Sequence, residues 1–89
     1  MKKVVVLGAG ESGVGAALLA KSKGLSVFVS DFGDISEKYK QILITNGIKF
    51  EEKIHTRSKI IDADVCIKSP GISEQVSIVQ DIINNNMLT

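Results

Sequence analysis

Residues 8–13 read Gly8-Ala9-Gly10-Glu11-Ser12-Gly13, a G-x-G-x-x-G run set between an apolar stretch and a helical pattern. The chemistry such a run can do is anion binding. Gly8 allows a tight turn, Gly10 has no Cβ to keep a diphosphate off the backbone, and Gly13 lets the helix pack close to the strand. The amides of Gly10 to Gly13 then face the anion, and the helix dipole adds a favourable partial charge. Glu11 suits such a place only through its amide, with its carboxylate turned to water. The plainer alternative is a glycine turn that binds nothing.

Two further places carry potential chemistry. Asp31 follows the glycine run by about 20 residues, the spacing at which an acid accepts hydrogen bonds from ribose hydroxyls. It would repel a 2′-phosphate, which makes NADP the ligand it suits least, and it could equally accept the N–H of a pyrimidine. As a turn residue before Phe32-Gly33 it needs no ligand at all. Lys68-Ser69-Pro70-Gly71-Ile72 places a rigid turn after another apolar run. Gly71 offers an amide open to close approach and Ser69 a hydroxyl, although a simple helix-start turn accounts for the same residues.

The elements needed to position these residues alternate. Lys3 to Leu7 is a β-branched run, as in a strand buried on both faces. Ser12 to Lys23 reads as a helix with Val14, Ala17 and Leu18 on one face and Gly24 closing it. Leu25 to Ser30 is a second strand ending at Asp31. Ile35 to Asn46 is a second helix, with Ser36 as its N-cap and Gly47 at its end. Ile48 to Glu51 is a short strand whose charges place it at an edge. Ser58 to Ile61 forms a brief helical turn, and Val65 to Lys68 a fourth strand that Pro70 ends. Glu74 to Asn85 is a last helix, with Ser73 as its cap. The alternation implies an α/β, Rossmann-like three-layer domain with a parallel sheet of four to five strands, order 3-2-1-4(-5). In that order the glycine turn and the Ser69–Gly71 turn face each other across the crevice at the switch point. The chain stops where a fifth strand is expected, which reads as a domain cut from a longer chain.

Composition narrows the function. The 89 residues are 44% hydrophobic but only 4% aromatic, so one domain with an aliphatic core is expected. Scattered charges summing to +1 give no footprint for nucleic acid or an anionic membrane. A single cysteine, Cys66, fits a reducing cytoplasm and a core thiol. The apolar run after Lys3 is too short for a signal peptide, and nothing approaches the roughly 20 apolar residues of a membrane span. His55 has no cysteine, histidine or acid cluster of metal-binding spacing around it and reads as a surface loop residue; no metal site is expected. Lys68 either faces the crevice or is solvated at a strand end. Glu51-Glu52-Lys53 reads as exposed edge charge.

Together, Leu7–Gly13, Asp31 and Lys68–Ile72 resemble the first domain of the Mur ligases, in order and spacing over essentially the whole chain. The resemblance implies a UDP-substrate-binding domain spanning 1–89. The amides of Glu11 and Ser12 would take the diphosphate, Asp31 would bind uracil, and Gly71 would line the uracil pocket. Phe32 and Gly33 stand where family members are often polar, so the base contacts differ here; Phe32 either packs on the ring or is a plain loop residue. The branch indicated joins D-glutamate to UDP-N-acetylmuramoyl-L-alanine, with ATP first phosphorylating the substrate carboxylate. That step needs a P-loop and Mg²⁺ ligands, and no G-x-x-x-x-G-K-[ST] occurs in the sequence. The family places that machinery in a central domain and the amino-acid site in a C-terminal one. The chain alone is therefore expected to have no catalytic residues, no cofactor of its own and no ligase activity. Two readings from other classes stay open: an NAD-binding domain of a dehydrogenase or regulatory protein, and an interaction domain that binds no nucleotide.

Overall fold

The computed structural model describes residues 2–68. Within them the chain runs β1 (Lys3–Leu7), α1 (Glu11–Ser22), β2 (Ser26–Asp31), α2 (Glu37–Thr45), β3 (Lys49–Glu52), α3 (Arg57–Ile60) and β4 (Val65–Lys68). The expected Ser69–Gly71 turn, the helix 74–85 with its Ser73 cap, and the fifth strand lie outside the described residues.

The four strands form one parallel sheet in the order β3-β2-β1-β4, as the alternation of elements requires. Register is set by the apolar pattern. Val4 and Val6 share one face with Val27 and Val29, and that face packs on Val14, Ala17 and Ala20 of α1 and Leu43 of α2. The opposite face carries Val5, Leu7, Phe28, Ser30 and Cys66, aligned by strand pairing; on α3 Ile60 is fully buried and Lys59 lies over the Phe28 ring. The core is aliphatic throughout, as the scarcity of aromatics dictates.

Both long helices end the same way. In α1 the amide of Gly24 donates to the Lys21 carbonyl at 3.0 Å and that of Leu25 to the Ala20 carbonyl at 3.3 Å. In α2 Gly47 donates to Ile44 at 3.1 Å and Ile48 to Leu43 at 2.9 Å. These are Schellman closures, which require a residue in the left-handed region, and Gly24 and Gly47 have φ of 78° and 69°. They turn the chain straight into β2 and β3.

Several boundaries differ from expectation by one or two residues. The helix expected over 35–46 starts at Glu37, because Ile35 is buried in the core as part of the preceding loop. Ser36 occupies the N-cap position, yet its side chain makes no capping hydrogen bond. β3 lies at one end of the sheet, but Glu51 and Glu52 are not exposed edge charge. They are half-buried and project to opposite faces, as neighbours in a strand must. Glu52 accepts the Ile35 amide at 3.0 Å and pairs with Lys40 at 2.6 Å on the α2 face. Glu51 ties down the loop after β3 on the other face.

Candidate functional site

The three strand ends β1, β2 and β3 converge at the carboxyl rim of the sheet. β1 is paired on both sides, Leu7 standing between Ser30 and Lys68. The chain direction therefore diverges at this rim, the place where open α/β sheets hold ligands. Ser69 and Gly71 follow Lys68 in sequence but lie outside the described residues.

The glycine turn begins with Gly8 at φ 100°, a conformation that favours glycine, and its amide donates to the Ser30 carbonyl at 2.8 Å. Gly13 is constrained by contact. A Cβ there would lie 1.8 Å from the Gly8 carbonyl oxygen and 3.4 Å from Val6 Cγ1, so only glycine allows α1 to start this close to β1. Gly10 is the reverse case. Its φ of −83° suits any residue, and a Cβ would meet nothing within 4 Å. The fold itself makes no demand for glycine at position 10, whereas a group approaching from outside would.

Gly10 is the N-cap of α1, and Val14 closes the first turn by donating to its carbonyl at 2.9 Å. Among the described residues no acceptor takes the amides of Glu11, Ser12 or Gly13. They form the positive end of a 12-residue helix, which is an anion site by geometry and by charge. Glu11 is exposed, and so is Ser12.

Asp31 braces this turn. Its Oδ2 accepts the Ala9 amide at 2.8 Å and its Oδ1 accepts the Gly33 amide at 2.9 Å. The second contact closes a turn from the Asp31 side chain to the backbone two residues on, and the first joins β2 to the glycine turn. Each carboxylate oxygen keeps a further lone pair for a hydroxyl or N–H donor. Phe32 is next, and 70% of its surface is exposed.

His55 corrects the sequence reading. It is not an isolated surface residue: it is half-buried, its ring stacks on Phe32 with centroids 5.7 Å apart at 25°, and its Nδ1 lies 2.6 Å from Ser30 Oγ. Burial pushes its imidazole below the ordinary histidine value, against the opposing pull of the Glu51 and Asp31 charges. Glu51 accepts Ser30 Oγ at 2.7 Å, the Thr56 amide at 2.7 Å and Thr56 Oγ1 at 2.6 Å. Burial alone would raise its carboxyl, but the two Thr56 bonds, the Ser30 bond and the Lys59 charge outweigh it and hold the group below the usual range. The signal for His55 was topological. The order 3-2-1 puts the loop after β3 beside the end of β2, where the chain's only histidine then falls.

Among the described residues no group of three or more His, Cys, Asp or Glu could hold a metal ion, and no helix is long and apolar enough to cross a membrane. These residues contain no P-loop. An open depression of about 280 Å³ lined by Lys21, Gly24, Leu25, Ser26, Gly47 and Lys49 lies at the opposite rim, by the strands' amino ends.

Comparison with known proteins agrees with this geometry. The family described as the MurD N-terminal domain matches residues 3–78. A UDP-N-acetylmuramoylalanine--D-glutamate ligase of Porphyromonas gingivalis is 55% identical over 80 residues, covering 90% of this chain and 18% of that protein. The ligase of the same name from Christiangramia forsetii is 53% identical over 78 residues, 88% of this chain and 18% of its own length. Among solved structures, a pseudomurein peptide ligase type C from Methanothermus fervidus is 33% identical with a TM-score of 0.85, covering 100% of this chain and 19% of that one. The chain thus spans about a fifth of the length of the proteins it matches. By the extent of that match, the chain belongs to the MurD N-terminal domain family.

Proposed function

We propose that this chain is the domain with which a peptidoglycan-building ligase holds the UDP end of UDP-N-acetylmuramoyl-L-alanine in the cytoplasm while D-glutamate is added. The observation that carries the reading is the set of unpartnered amides of Glu11, Ser12 and Gly13 over an open Gly10, in a chain of this family. Those amides would take the diphosphate. Asp31 would face the uridine moiety through its remaining lone pairs, with Phe32 beside the base. Gly8 and Gly13 would shape the cradle, and Ser69 and Gly71 would close it from the end of β4. The domain occupies 1–89.

Binding, not bond-making, is what these residues can contribute. No described group is placed to activate a carboxylate. ATP and Mg²⁺ belong in this proposal to a central domain, and the incoming amino acid to a C-terminal one, so the 89 residues by themselves are inactive as a ligase. The names of the relatives support the ligase assignment.

Calorimetry with UDP, UDP-N-acetylmuramoyl-L-alanine and NAD tests the reading. The uridine compounds should bind and compete with one another, and Gly10→Val should abolish that binding by filling the space over the amides without unfolding the domain. NAD binding more tightly than either uridine compound would replace the ligase reading with a dinucleotide-binding one. Binding by neither class would leave an interaction domain.

A further inference from the structure

Ser30 is the one polar side chain buried with the core among the described residues, at 0% exposure. It precedes Asp31 on β2, and its Oγ lies 2.7 Å from Glu51 Oε2, 3.2 Å from the Ile54 carbonyl and 2.6 Å from His55 Nδ1. Counting protons fixes the direction of these contacts. Glu51 is ionised and accepts only, since Thr56 already donates to both of its oxygens. The single Ser30 hydroxyl proton therefore goes to Glu51. The 2.6 Å contact then needs a proton from the ring, so His55 Nδ1–H donates to Ser30 Oγ.

A neutral imidazole carries one proton, and the count assigns it to Nδ1. Nε2 is left as a bare acceptor. The two ring nitrogens point in nearly opposite directions. Nδ1 is turned toward a fully buried serine, and no described residue bonds Nε2 on the other side of the ring. Beside it lies the exposed ring of Phe32, stacked at 5.7 Å, and one residue away is Asp31, which grips the glycine turn through Ala9. An aromatic face and one fixed acceptor thus stand at the end of the anion cradle.

We propose that Phe32 and His55 are the base-reading pair of the nucleotide site, Phe32 supplying a stacking surface and His55 Nε2 accepting the imide N–H of a uracil ring. Ser30 and Glu51 are positioning residues that hold the ring in the tautomer that can accept. The inference rests on the reading that a UDP group occupies the glycine turn, and it deepens that reading by naming the residue that selects the base. Cytosine offers a lone pair at the matching ring position, so two acceptors would face each other and CDP is rejected. Asp31 braces the turn with one lone pair of each oxygen and meets the ribose with the others. On protonation Nε2 becomes a donor, and the preference reverses. The charged groups facing the ring are Glu51 and Asp31.

The test uses the protein's only histidine. Nitrogen NMR of His55 at neutral pH should show Nδ1 protonated and Nε2 bare; the opposite tautomer would overturn the proposal without touching the UDP reading. Calorimetry should give UDP tighter than CDP by about tenfold, the size of one well-placed hydrogen bond. His55→Phe, which keeps the stack but loses the acceptor, should bring the two within about twofold of each other and leave inorganic diphosphate binding unchanged. In the unmodified protein the UDP-to-CDP ratio should fall as pH drops from 8 to 5.5. Both ligands share the diphosphate, so the ratio isolates the base. A ratio indifferent to both pH and His55→Phe, with UDP still bound, refutes the base-reading pair and leaves the UDP site standing. Absence of UDP binding refutes both.

Discussion

At the scale of single residues, two glycines of one motif have opposite reasons for being glycine. Gly13 is required by the fold: a Cβ 1.8 Å from the Gly8 carbonyl forces α1 away from β1. Gly13→Ala should therefore cost at least about 2 kcal/mol, the range of overpacking a tight contact, which lowers the melting temperature of a domain this size by roughly 10 °C. Gly10→Ala meets nothing and sits at an ordinary φ, so its melting temperature should stay within about 2 °C of the parent's. Its cost should appear in UDP affinity instead, because the new methyl occupies the space over the amides. Thermal melts with and without UDP separate the two effects. Equal destabilisation by both substitutions would show that Gly10 serves the fold rather than a ligand. The spacing of the motif announced the turn, but it could not apportion these roles. That required knowing which atoms stand opposite each missing Cβ.

At the scale of elements, the loops after β2 and β3 are held by adjacent carboxylates working on opposite faces, Glu52 toward α2 and Glu51 toward α3. The Glu51 clamp predicts a pH response. Its folded carboxyl titrates below the unfolded one, so the unfolded chain takes up protons first as pH falls. The stabilisation is complete above the ordinary glutamate value of 4.5 and is lost as pH drops through the folded value. His55 acts in the same direction higher up. Its folded imidazole also titrates below its ordinary 6.5, so acid favours the unfolded chain as pH falls through that value. Melting temperature against pH should decline in two stages. Glu51→Gln should flatten the lower stage and cost about 1–3 kcal/mol at pH 7, because a Gln N–H₂ cannot serve every donor that Glu51 accepts. A lower stage that persists unchanged in Glu51→Gln would assign the acid response to other carboxylates. The sheet order was legible because β-branched runs alternating with glycine-closed helices admit few topologies. The clamps were not legible, because Glu51-Glu52-Lys53 looks the same whether the strand's edge faces water or a folded loop. The side of the sheet each acid takes follows from period-2 alternation, but its partners, Thr56, Ser30, Ile35 and Lys40, come from loops whose path no local pattern specifies.

At the scale of the molecule, the candidate site draws on the ends of β1, β2 and β3, so occupying it should stabilise the sheet as one unit. Cys66 reports on that unit. It is the only cysteine, it is 0% exposed in β4 opposite Val5, and burial pushes its thiol up to about 11. A thiol in that state does not react with a disulfide reagent at pH 8, because the thiolate is scarce and out of reach. Labelling must therefore wait for the packing around β4 to open. When opening is fast and reversible, the labelling rate is proportional to the population of the open form. A ligand that binds only the closed form reduces that population by the factor 1 + [L]/Kd, so UDP at about 100 times its Kd should slow labelling about a hundredfold. The effect needs no contact between UDP and Cys66, which faces the α3 side of the sheet away from the α1 amides. Labelling that UDP leaves unchanged, although UDP binds, would mean that β4 opens on its own while the rim of β1, β2 and β3 stays intact.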